Sequence, residues 1–239
     1  MSGPVYAFFD FDGTLIEGDS ILYWLRFYYR RRPGRRMFQI ANWAGLVLKL
    51  AHVISSHTLK RVFLWPMSFE PPEALDALAA DFIREDVAFR FHQPVLERLR
   101  EHHRQGHNVV VISASASFYL RHIQGWLPPS CLILGTELEW NRGFLGLPVY
   151  RGGNLRGENK IRRLYEIGLG DAGRGGYAYS DHFHDIPLLR FVEFPVCVRP
   201  VRRLRRLAEA SGWPIWDWPR ERPLWRLRLE SLRLLLFAF

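Results

Sequence analysis

The sequence contains very few cysteines and lysines. Its 239 residues include two cysteines, Cys131 and Cys197, each inside an apolar run. So few cysteines exclude a disulfide framework and indicate buried thiols in a reducing compartment. Only three of the 33 basic residues are lysines, so arginine accounts for the other 30. The formal net charge of +9 favours acidic partners, although codon bias alone can also produce such an arginine excess.

The sequence also lacks a membrane-spanning run and a secretory signal. The apolar segment from Met37 to Ile54 is interrupted by Gln39, Asn42, Lys49 and His52, and it is too short to cross a bilayer. The first residues contain no basic segment followed by an apolar run, so we expect a cytoplasmic protein. With 48% hydrophobic residues, the chain is predicted to be globular and to bury a sizeable core.

The most informative stretch runs from Tyr6 to Ser20. Apolar residues from Val5 to Phe9 predict a short buried strand, and Asp10 and Asp12 follow it. In open α/β sheets ligands bind beyond the carboxyl ends of the strands. Two carboxylates this close repel each other unless a cation lies beside them, and Mg²⁺ prefers oxygen ligands. The pattern therefore predicts a Mg²⁺ site; the alternative is a solvated Asp-Gly turn.

Helical patterns fill residues 18–92, and strands alternate with helices after them. Apolar spacing predicts helices at Ile21–Tyr29, 37–54, Thr58–Trp65 and Pro71–Phe91. Further strands are predicted at Asn108–Ile112, Cys131–Leu134, Tyr177–Tyr179 and, as the last strand, Phe194–Val198, with a β-hairpin at 137–150. This alternation predicts an α/β fold with a doubly wound parallel sheet. The all-helical insertion is expected to form a cap above the strand ends.

Four motifs, in this order, resemble those of the haloacid dehalogenase-like superfamily. They are Asp10-Phe-Asp12-Gly-Thr14, Ser113 after the second strand, Lys160 at a helix start, and the acidic pair Asp181 and Asp185. The order of elements is similar to subfamily IB, the phosphoserine-phosphatase-like branch with a helical cap. The resemblance implies a Rossmann-like catalytic core at 1–17 and 93–200 and a cap at 18–92. A basic, tryptophan-rich tail at 201–239 lies outside it.

The resemblance implies a Mg²⁺-dependent phosphomonoester hydrolase that works through an aspartyl phosphate. Asp10 would be the nucleophile, and Asp12 the general acid and base. The phosphoryl group would be held by Thr14, by Ser113, by backbone N–H groups at a helix start near Ala114, and by Lys160. The implied metal ligands are Asp10, the backbone carbonyl of Asp12, Asp181 as a direct ligand and Asp185 as an outer or alternate ligand.

Taken alone, several of these residues have other interpretations. Ser113 or Ser115 also fits an ordinary helix N-cap. Lys160 could be solvated, although a cation is disfavoured near a helix N-terminus. Glu17 and Asp19 lie toward the cap and are candidates for contacting the substrate, but Asp19 equally suits the N-cap of the next helix. The histidines His102, His103 and His107 are expected to be solvated.

The substrate does not follow from the sequence. One candidate is a lipid phosphate such as phosphatidylglycerol phosphate, on which similar capped enzymes act, and another is a soluble compound such as phosphoserine. A phosphotransferase would differ only in the group that attacks the intermediate. A catalytically silent module that binds anionic lipid is the alternative from another class. The arginines are scattered and form no known binding motif, so no nucleic-acid partner is expected.

The C-terminal residues combine tryptophan with arginine. Trp213, Trp216, Trp218 and Trp225 lie among arginines and prolines, and a leucine- and arginine-rich stretch follows. This mixture is typical of membrane interfaces. Together with the basic-flanked segment 35–54, it favours a peripheral enzyme on the inner, anionic face of a membrane. Packing of the tail on the core or the cap is an equal alternative.

Overall fold

In the computed structural model, residues 3–141 and 144–218 are described, and their strands form a single sheet. The strand order is β4-β3-β2-β1-β5-β6-β7. All neighbouring pairs are parallel except β3 and β4. This arrangement confirms the predicted α/β fold. The strands are β1 (Tyr6–Phe9), β2 (Asn108–Ala116), β3 (Leu132–Glu139), β4 (Val149–Arg151), β5 (Tyr177–Ser180), β6 (Phe194–Val198) and β7 (Ile215–Trp216).

Four α-helices, α1 to α4, lie between β1 and α5, the helix that precedes β2. This number agrees with the four helices predicted for the insertion. Short 3₁₀ segments connect several of them, and a π-helical turn at Ile83–Val87 follows the fourth. No helix of the described ranges has the length and hydrophobicity needed to cross a bilayer. The helices are α1 (Ser20–Arg31), α2 (Gln39–Leu50), α3 (Ser56–Leu64), α4 (Pro72–Phe82), α5 (Gln93–Arg104), α6 (Ser117–Leu120), α7 (Glu158–Glu166), α8 (Ile186–Phe191) and α9 (Arg202–Ser211).

Both faces of the sheet are covered, as parallel sheets require. Because side chains alternate along a strand, Phe9 of β1 faces one hydrophobic cluster and Phe8 faces the other. The Phe9 side packs against α1, α4 and α5. The Phe8 side packs against α7, α8 and α9. The carboxyl ends of β1, β2 and β5 are thereby fixed side by side.

Helix α1 is part of the same hydrophobic cluster as the sheet. Trp24 is fully buried, and its ring centroid lies 5.3 Å from that of Phe82 in α4 and 5.0 Å from that of Phe118 in α6. The first helix of the insertion thus packs directly on the α/β part of the chain. The domain bounds at 1–17, 18–92, 93–200 and 201–239 stay a prediction.

Two predicted elements differ from the structure around the hairpin. The strand predicted at 131–134 and the first arm of the hairpin are one continuous strand, β3. Its last residues pair antiparallel with β4, Glu137 opposite Arg151, which confirms the hairpin itself. Asn141 adopts φ 59°, a left-handed turn conformation that Asn tolerates, whereas Arg142 and Gly143 of the predicted turn lie outside the described residues.

The prediction that β6 is the last strand was wrong. After α9 the chain returns, and Ile215 and Trp216 pair parallel with Cys197 and Val198. Trp213, Trp216 and Trp218 are half-buried and pack against the two clusters. For residues 201–218, packing on the core is therefore what the structure shows. Trp225 and the rest of the tail, 219–239, lie outside the described residues.

The expectation that His102 is solvated was also wrong. It points inward from α5 and is buried. Its Nε2 lies 2.8 Å from the Tyr179 hydroxyl, and its Nδ1 lies 2.8 Å from Nδ1 of His107. Burial lowers the pKa of His102 to about 4, so the ring is neutral at neutral pH. His103 is exposed as expected.

Candidate active site

A cavity of about 620 Å³ lies at the carboxyl ends of β1, β2 and β5, beneath the helical insertion. Such crevices are where ligands bind in open α/β sheets. Every predicted site residue except Thr14 lines this cavity, although the residues come from distant parts of the chain. The lining residues among them are Asp10, Asp12, Glu17, Asp19, Ser113, Ala114, Lys160, Asp181 and Asp185.

Lys160 forms the centre of a buried ion triad. Its Nζ donates to Asp10 Oδ1 at 2.7 Å and to Asp185 Oδ2 at 2.8 Å, and the side chain is 2% exposed. Burial alone would lower the pKa of Lys160, but the charges of Asp10 and Asp185 outweigh it and raise the pKa to about 12. Burial, partly offset by Lys160, raises the pKa of Asp10 to about 7. A solvated Lys160 is therefore excluded.

Asp12 is held by the start of α1 and by a hydroxyl of β2. Its Oδ1 accepts from the backbone N–H of Ser20 at 2.8 Å, and its Oδ2 accepts from the Ser115 hydroxyl. The Ser20 and Ser115 hydroxyls lie 2.9 Å apart, and Tyr119 completes this buried group. The N-terminus of a helix stabilises negative charge. Asp12 and Asp10 thus have different partners although they are two residues apart.

Thr14 joins the first motif to the fourth. Its Oγ1 donates to Asp181 Oδ1 at 3.3 Å and accepts from the Asp181 backbone N–H at 3.0 Å. Gly13 of the first motif has φ 76°, and a Cβ there would overlap the Asp181 carboxylate, so only glycine fits. Burial, with the charges of Asp10 and Asp185, raises the pKa of Asp181 well above its ordinary value. In this structure Thr14 orients the loop and Asp181.

The backbone N–H groups that directly follow Ser113 do not lie at a helix start, contrary to expectation. Strand β2 continues to Ala116, and α6 begins at Ser117 with Ala116 as its N-cap, so neither Ser113 nor Ser115 caps a helix. The Ser113 hydroxyl is buried and accepts from the Ser115 backbone N–H at 3.0 Å. The Ala114 carbonyl accepts from the Lys60 ammonium and, at 2.9 Å, from the Thr136 hydroxyl.

Glu17 and Asp19 line the part of the cavity that faces the insertion. Asp19 is also the N-cap of α1, because its side chain accepts from the Ile21 N–H at 3.1 Å. The surrounding protein and the charge of Asp12 raise the pKa of Asp19 to about 6, while the side chain stays open to the water of the cavity. Both sequence interpretations of Asp19 thus remain compatible with its position.

Sequence reasoning missed two cations of the cavity wall. Lys60 of α3 reaches in from the insertion, and Arg156 lies four residues before Lys160. Burial lowers the pKa of both side chains. Arg156 is half-buried and forms no hydrogen bond or ion pair through its side chain with the described residues. Nothing in the sequence distinguished Arg156 among 30 arginines, whereas the rarity of lysine could have drawn attention to Lys60.

A second missed group contacts the loop that carries Thr14. It contains Arg199, which follows β6, and Trp218, which follows β7. The Arg199 guanidinium donates to His92 Nε2 at 2.9 Å, so the proton of the neutral ring is on Nδ1, which donates to the Thr14 carbonyl at 2.9 Å. Trp218 packs on both residues, with its ring centroid 5.4 Å from that of His92. Arg199 has φ 43°, an uncommon conformation for arginine. These contacts tie β6 and the residues after β7 to the loop that carries Thr14.

The carboxylates fit a Mg²⁺ ion. Among the described residues, Lys160 is the only cation hydrogen-bonded to Asp10, Asp12, Asp181 or Asp185, so negative charge remains uncompensated. Within 3–141 and 144–218 no three carboxylate, histidine or cysteine side chains converge on one point. Mg²⁺ needs no such set, because it usually keeps several waters and takes one or two carboxylates. Two aspartates and a backbone carbonyl would suffice.

The chain belongs to the haloacid dehalogenase-like hydrolases. The model of that family matches residues 7–190, which include all four motifs. A histidinol-phosphatase of Neisseria meningitidis is 26% identical over 87% of this chain and 96% of its own length. A phosphoserine phosphatase of Mycobacterium tuberculosis is 28% identical over 94% of this chain and 74% of its own length.

A solved structure extends the comparison to three dimensions. A protein of unknown function from Bordetella pertussis Tohama I superposes with a TM-score of 0.73 at 25% identity, covering 90% of this chain and 99% of its own. These findings confirm the predicted superfamily, the fold class and an enzyme that is a hydrolase, and they support the phosphatase type within the family.

Proposed function

We propose that the protein hydrolyses phosphomonoesters through a covalent phosphoryl intermediate on Asp10. The observation that carries the proposal is that Asp10 and Asp12 have different hydrogen-bond partners. Lys160 binds only Oδ1 of Asp10, so among the described residues no hydrogen bond occupies Oδ2. That oxygen is available to attack phosphorus, and the buried ammonium lies where it can balance the charge of a phosphoryl group.

Two in-line displacements account for the reaction. Asp10 Oδ2 attacks phosphorus, the bond to the substrate oxygen breaks, and protonated Asp12 gives its proton to the leaving oxygen. Water then attacks the same phosphorus, Asp12 takes a proton from it, and the aspartyl bond breaks to release inorganic phosphate. The Ser115 hydroxyl supports both states of Asp12, because it can donate to the carboxylate or accept from the acid.

Mg²⁺ is proposed as the cofactor. When bound, it would neutralise charge on the transferring phosphoryl group. Asp10, Asp181 and the backbone carbonyl of Asp12 are the proposed ligands. Asp185 is the outer residue, because Lys160 and the Ser180 hydroxyl already occupy its Oδ2 at 2.8 and 2.7 Å. Thr14 fixes Asp181, and Ser113 and Ala114 face the phosphoryl position from β2.

The first candidate substrate is a soluble phosphomonoester. The named relatives act, by their names, on phosphoserine and histidinol phosphate, both small molecules. Charged groups near the insertion suit a substrate that carries its own charges: Glu17 and Asp19 for an ammonium, Lys60 and Arg156 for an anion. A cytoplasmic location accords with such a substrate.

The second candidate is a phosphomonoester carried by a lipid head group. Apolar side chains of α1, α2 and α3 line part of the cavity, and the outward side of α2 exposes further large apolar residues. Aliphatic and aromatic surface of this kind suits acyl chains better than a small polar substrate. The wall residues are Ile21, Leu22, Leu46, Leu59 and Phe63.

A phosphate-release screen tests the proposal. Purified protein is assayed against soluble and detergent-dispersed lipid phosphomonoesters, each with Mg²⁺ and with EDTA. We expect release from at least one ester with Mg²⁺ and none with EDTA. Adding glycerol as an acceptor would reveal a phosphotransferase, because product would form without equivalent free phosphate. Unchanged activity in EDTA would contradict the cofactor assignment.

A further inference from the structure

Helix α2 buries its polar side and exposes its apolar side. The residues it buries are Gln39, Asn42 and Gly45, two amides and a glycine. Asn42 Nδ2 donates to the Tyr29 hydroxyl at 2.8 Å, and a Cβ at Gly45 would come within 3.2 to 3.3 Å of side chains on α3. These contacts fix the polar and small stripe inward. The apolar side of the helix therefore faces solvent.

The outward side forms a continuous apolar surface, which we call the α2 face. Ile40, Trp43, Val47 and Leu50 follow each other at intervals of three or four residues, so they lie on one side of the helix. A soluble helix normally buries such a stripe, and a large exposed apolar patch marks an interaction site. The α2 face comprises Met37, Ile40, Trp43, Val47, Leu48, Leu50 and Val53, whose exposed fractions range from 38% to 75%.

The segment that carries the α2 face contains no carboxylate. Residues 20–69 include seven arginines and two lysines but neither aspartate nor glutamate. The remaining 24 basic residues of the chain equal its 24 acidic residues in number, so this segment accounts for the whole net charge of +9. Arg30 and Arg36 are exposed and form no ion pair with the described residues. Positive charge thus accompanies the apolar surface.

We propose that the α2 face docks on the surface of an anionic lipid bilayer. Apolar side chains would enter the boundary between head groups and acyl chains, and arginines would meet lipid phosphates, as in interfacial amphipathic helices. A second copy of the chain fits less well, because a symmetric contact would bring two carboxylate-free, positively charged segments together. The proposal goes beyond the proposed function and does not depend on it, since docking needs no catalysis.

Vesicle co-sedimentation of the full chain tests the docking. At low salt we expect binding to vesicles of phosphatidylcholine with phosphatidylglycerol and little binding to phosphatidylcholine alone. The double variant Ile40→Gln/Val47→Gln should lower the partition coefficient at least about tenfold, because both side chains are more than half exposed and would be buried in lipid. The matched control is Phe89→Gln/Tyr165→Gln, which removes two exposed apolar residues elsewhere and should bind like wild type.

Charge is tested in the same assay. Arg30→Gln and Arg36→Gln should each lower binding about fivefold. Arg202→Gln/Arg206→Gln, which removes two exposed arginines from α9, controls for net charge and should have a smaller effect. Failure of the wild type to bind anionic vesicles would overturn the proposal. So would equal losses in the face variants and their controls.

A fluorescence measurement distinguishes a bilayer from other occupants. Both natural cysteines are buried, so Val47→Cys can be labelled selectively with a polarity-sensitive dye, and Phe89→Cys provides the control. The dye at position 47 should shift to the blue with anionic vesicles, and the dye at 89 should not. A shift at 47 that depends only on protein concentration would identify a second copy and overturn the proposal. A dye already shifted at every dilution, and unchanged by vesicles, would mean that the chain itself covers the face.

Discussion

Helices α1 and α2 have the same length, 12 residues, and both belong to the insertion, yet they are buried in opposite ways. Helix α1 buries Trp24, Phe27 and three tyrosines in the main cluster, and its first turn holds Asp12. Helix α2 buries two amides and a glycine and exposes its aliphatic side. The difference teaches that one insertion can serve two purposes. Helix α1 contributes to the proposed catalytic site, whereas α2 provides an exposed apolar surface.

The largest expected effect separates catalysis from docking. Asp10→Asn should reduce phosphate release by roughly 10⁴-fold or more, because the amide is nearly isosteric but a poor nucleophile. Its vesicle binding should equal that of wild type, since Asp10 is a buried residue of the cavity and is not part of the α2 face. Turnover comparable to wild type in the pure variant would refute the nucleophile assignment.

The same substitution in the two helices should differ in its cost to stability. Leu25→Ala removes a buried side chain of α1 and should lower the free energy of unfolding by about 2–5 kcal/mol. Leu50→Ala removes an exposed side chain of α2 and should change it by less than about 0.5 kcal/mol. Urea denaturation monitored by circular dichroism measures both. Equal costs would mean that the α2 face is covered within the protein.

A smaller effect concerns the proposed Mg²⁺ site. Asp181→Ala should raise the Mg²⁺ concentration for half-maximal activity about tenfold or more, and Asp185→Ala should raise it less, because Lys160 already engages Asp185. A Mg²⁺ titration of initial rates gives the values. The same apparent affinity in wild type and Asp181→Ala would contradict the ligand ranking.

The smallest effect is a pH dependence of stability in EDTA. Burial raises the pKa of Asp181, so its stabilising contribution is complete below the unfolded pKa and is lost as pH rises through the folded value. Asp181→Asn should therefore raise the thermal midpoint by a few degrees at pH 8 and hardly at all below about pH 3.5, where aspartate is protonated in the unfolded chain as well. Ile40→Gln/Val47→Gln carries no titrating group, so its difference from wild type should not change with pH.

The sequence could predict the elements whose signals are local. Buried strands are short apolar runs, and Asp10 and Asp181 follow such runs directly, so their positions at strand ends could be predicted. Lys160 was predicted from its place at a helix start. The proximity of Asp10 and Asp181 could be predicted as well, because the carboxyl ends of parallel strands meet at one edge of the sheet.

Features that depend on tertiary contacts could not be predicted. The strand β7 has two residues, too few to show a periodicity. The link from Trp218 through Arg199 to His92 joins residues up to 126 positions apart in the numbering. The orientation of α2 is set by its contacts with Tyr29 and α3, whereas hydrophobic spacing alone would have turned the helix the other way. Burial of His102 likewise depends on Tyr179, a distant residue.

The most direct test of the central claim is detection of the phosphorylated enzyme. Wild-type protein with Mg²⁺ and an accepted phosphomonoester is quenched in acid within one turnover, digested, and examined by mass spectrometry. The proposed mechanism predicts one added phosphoryl group on the peptide that contains Asp10, and none in Asp10→Asn. Phosphate release without this adduct at any quench time, or an adduct on another residue, would contradict it.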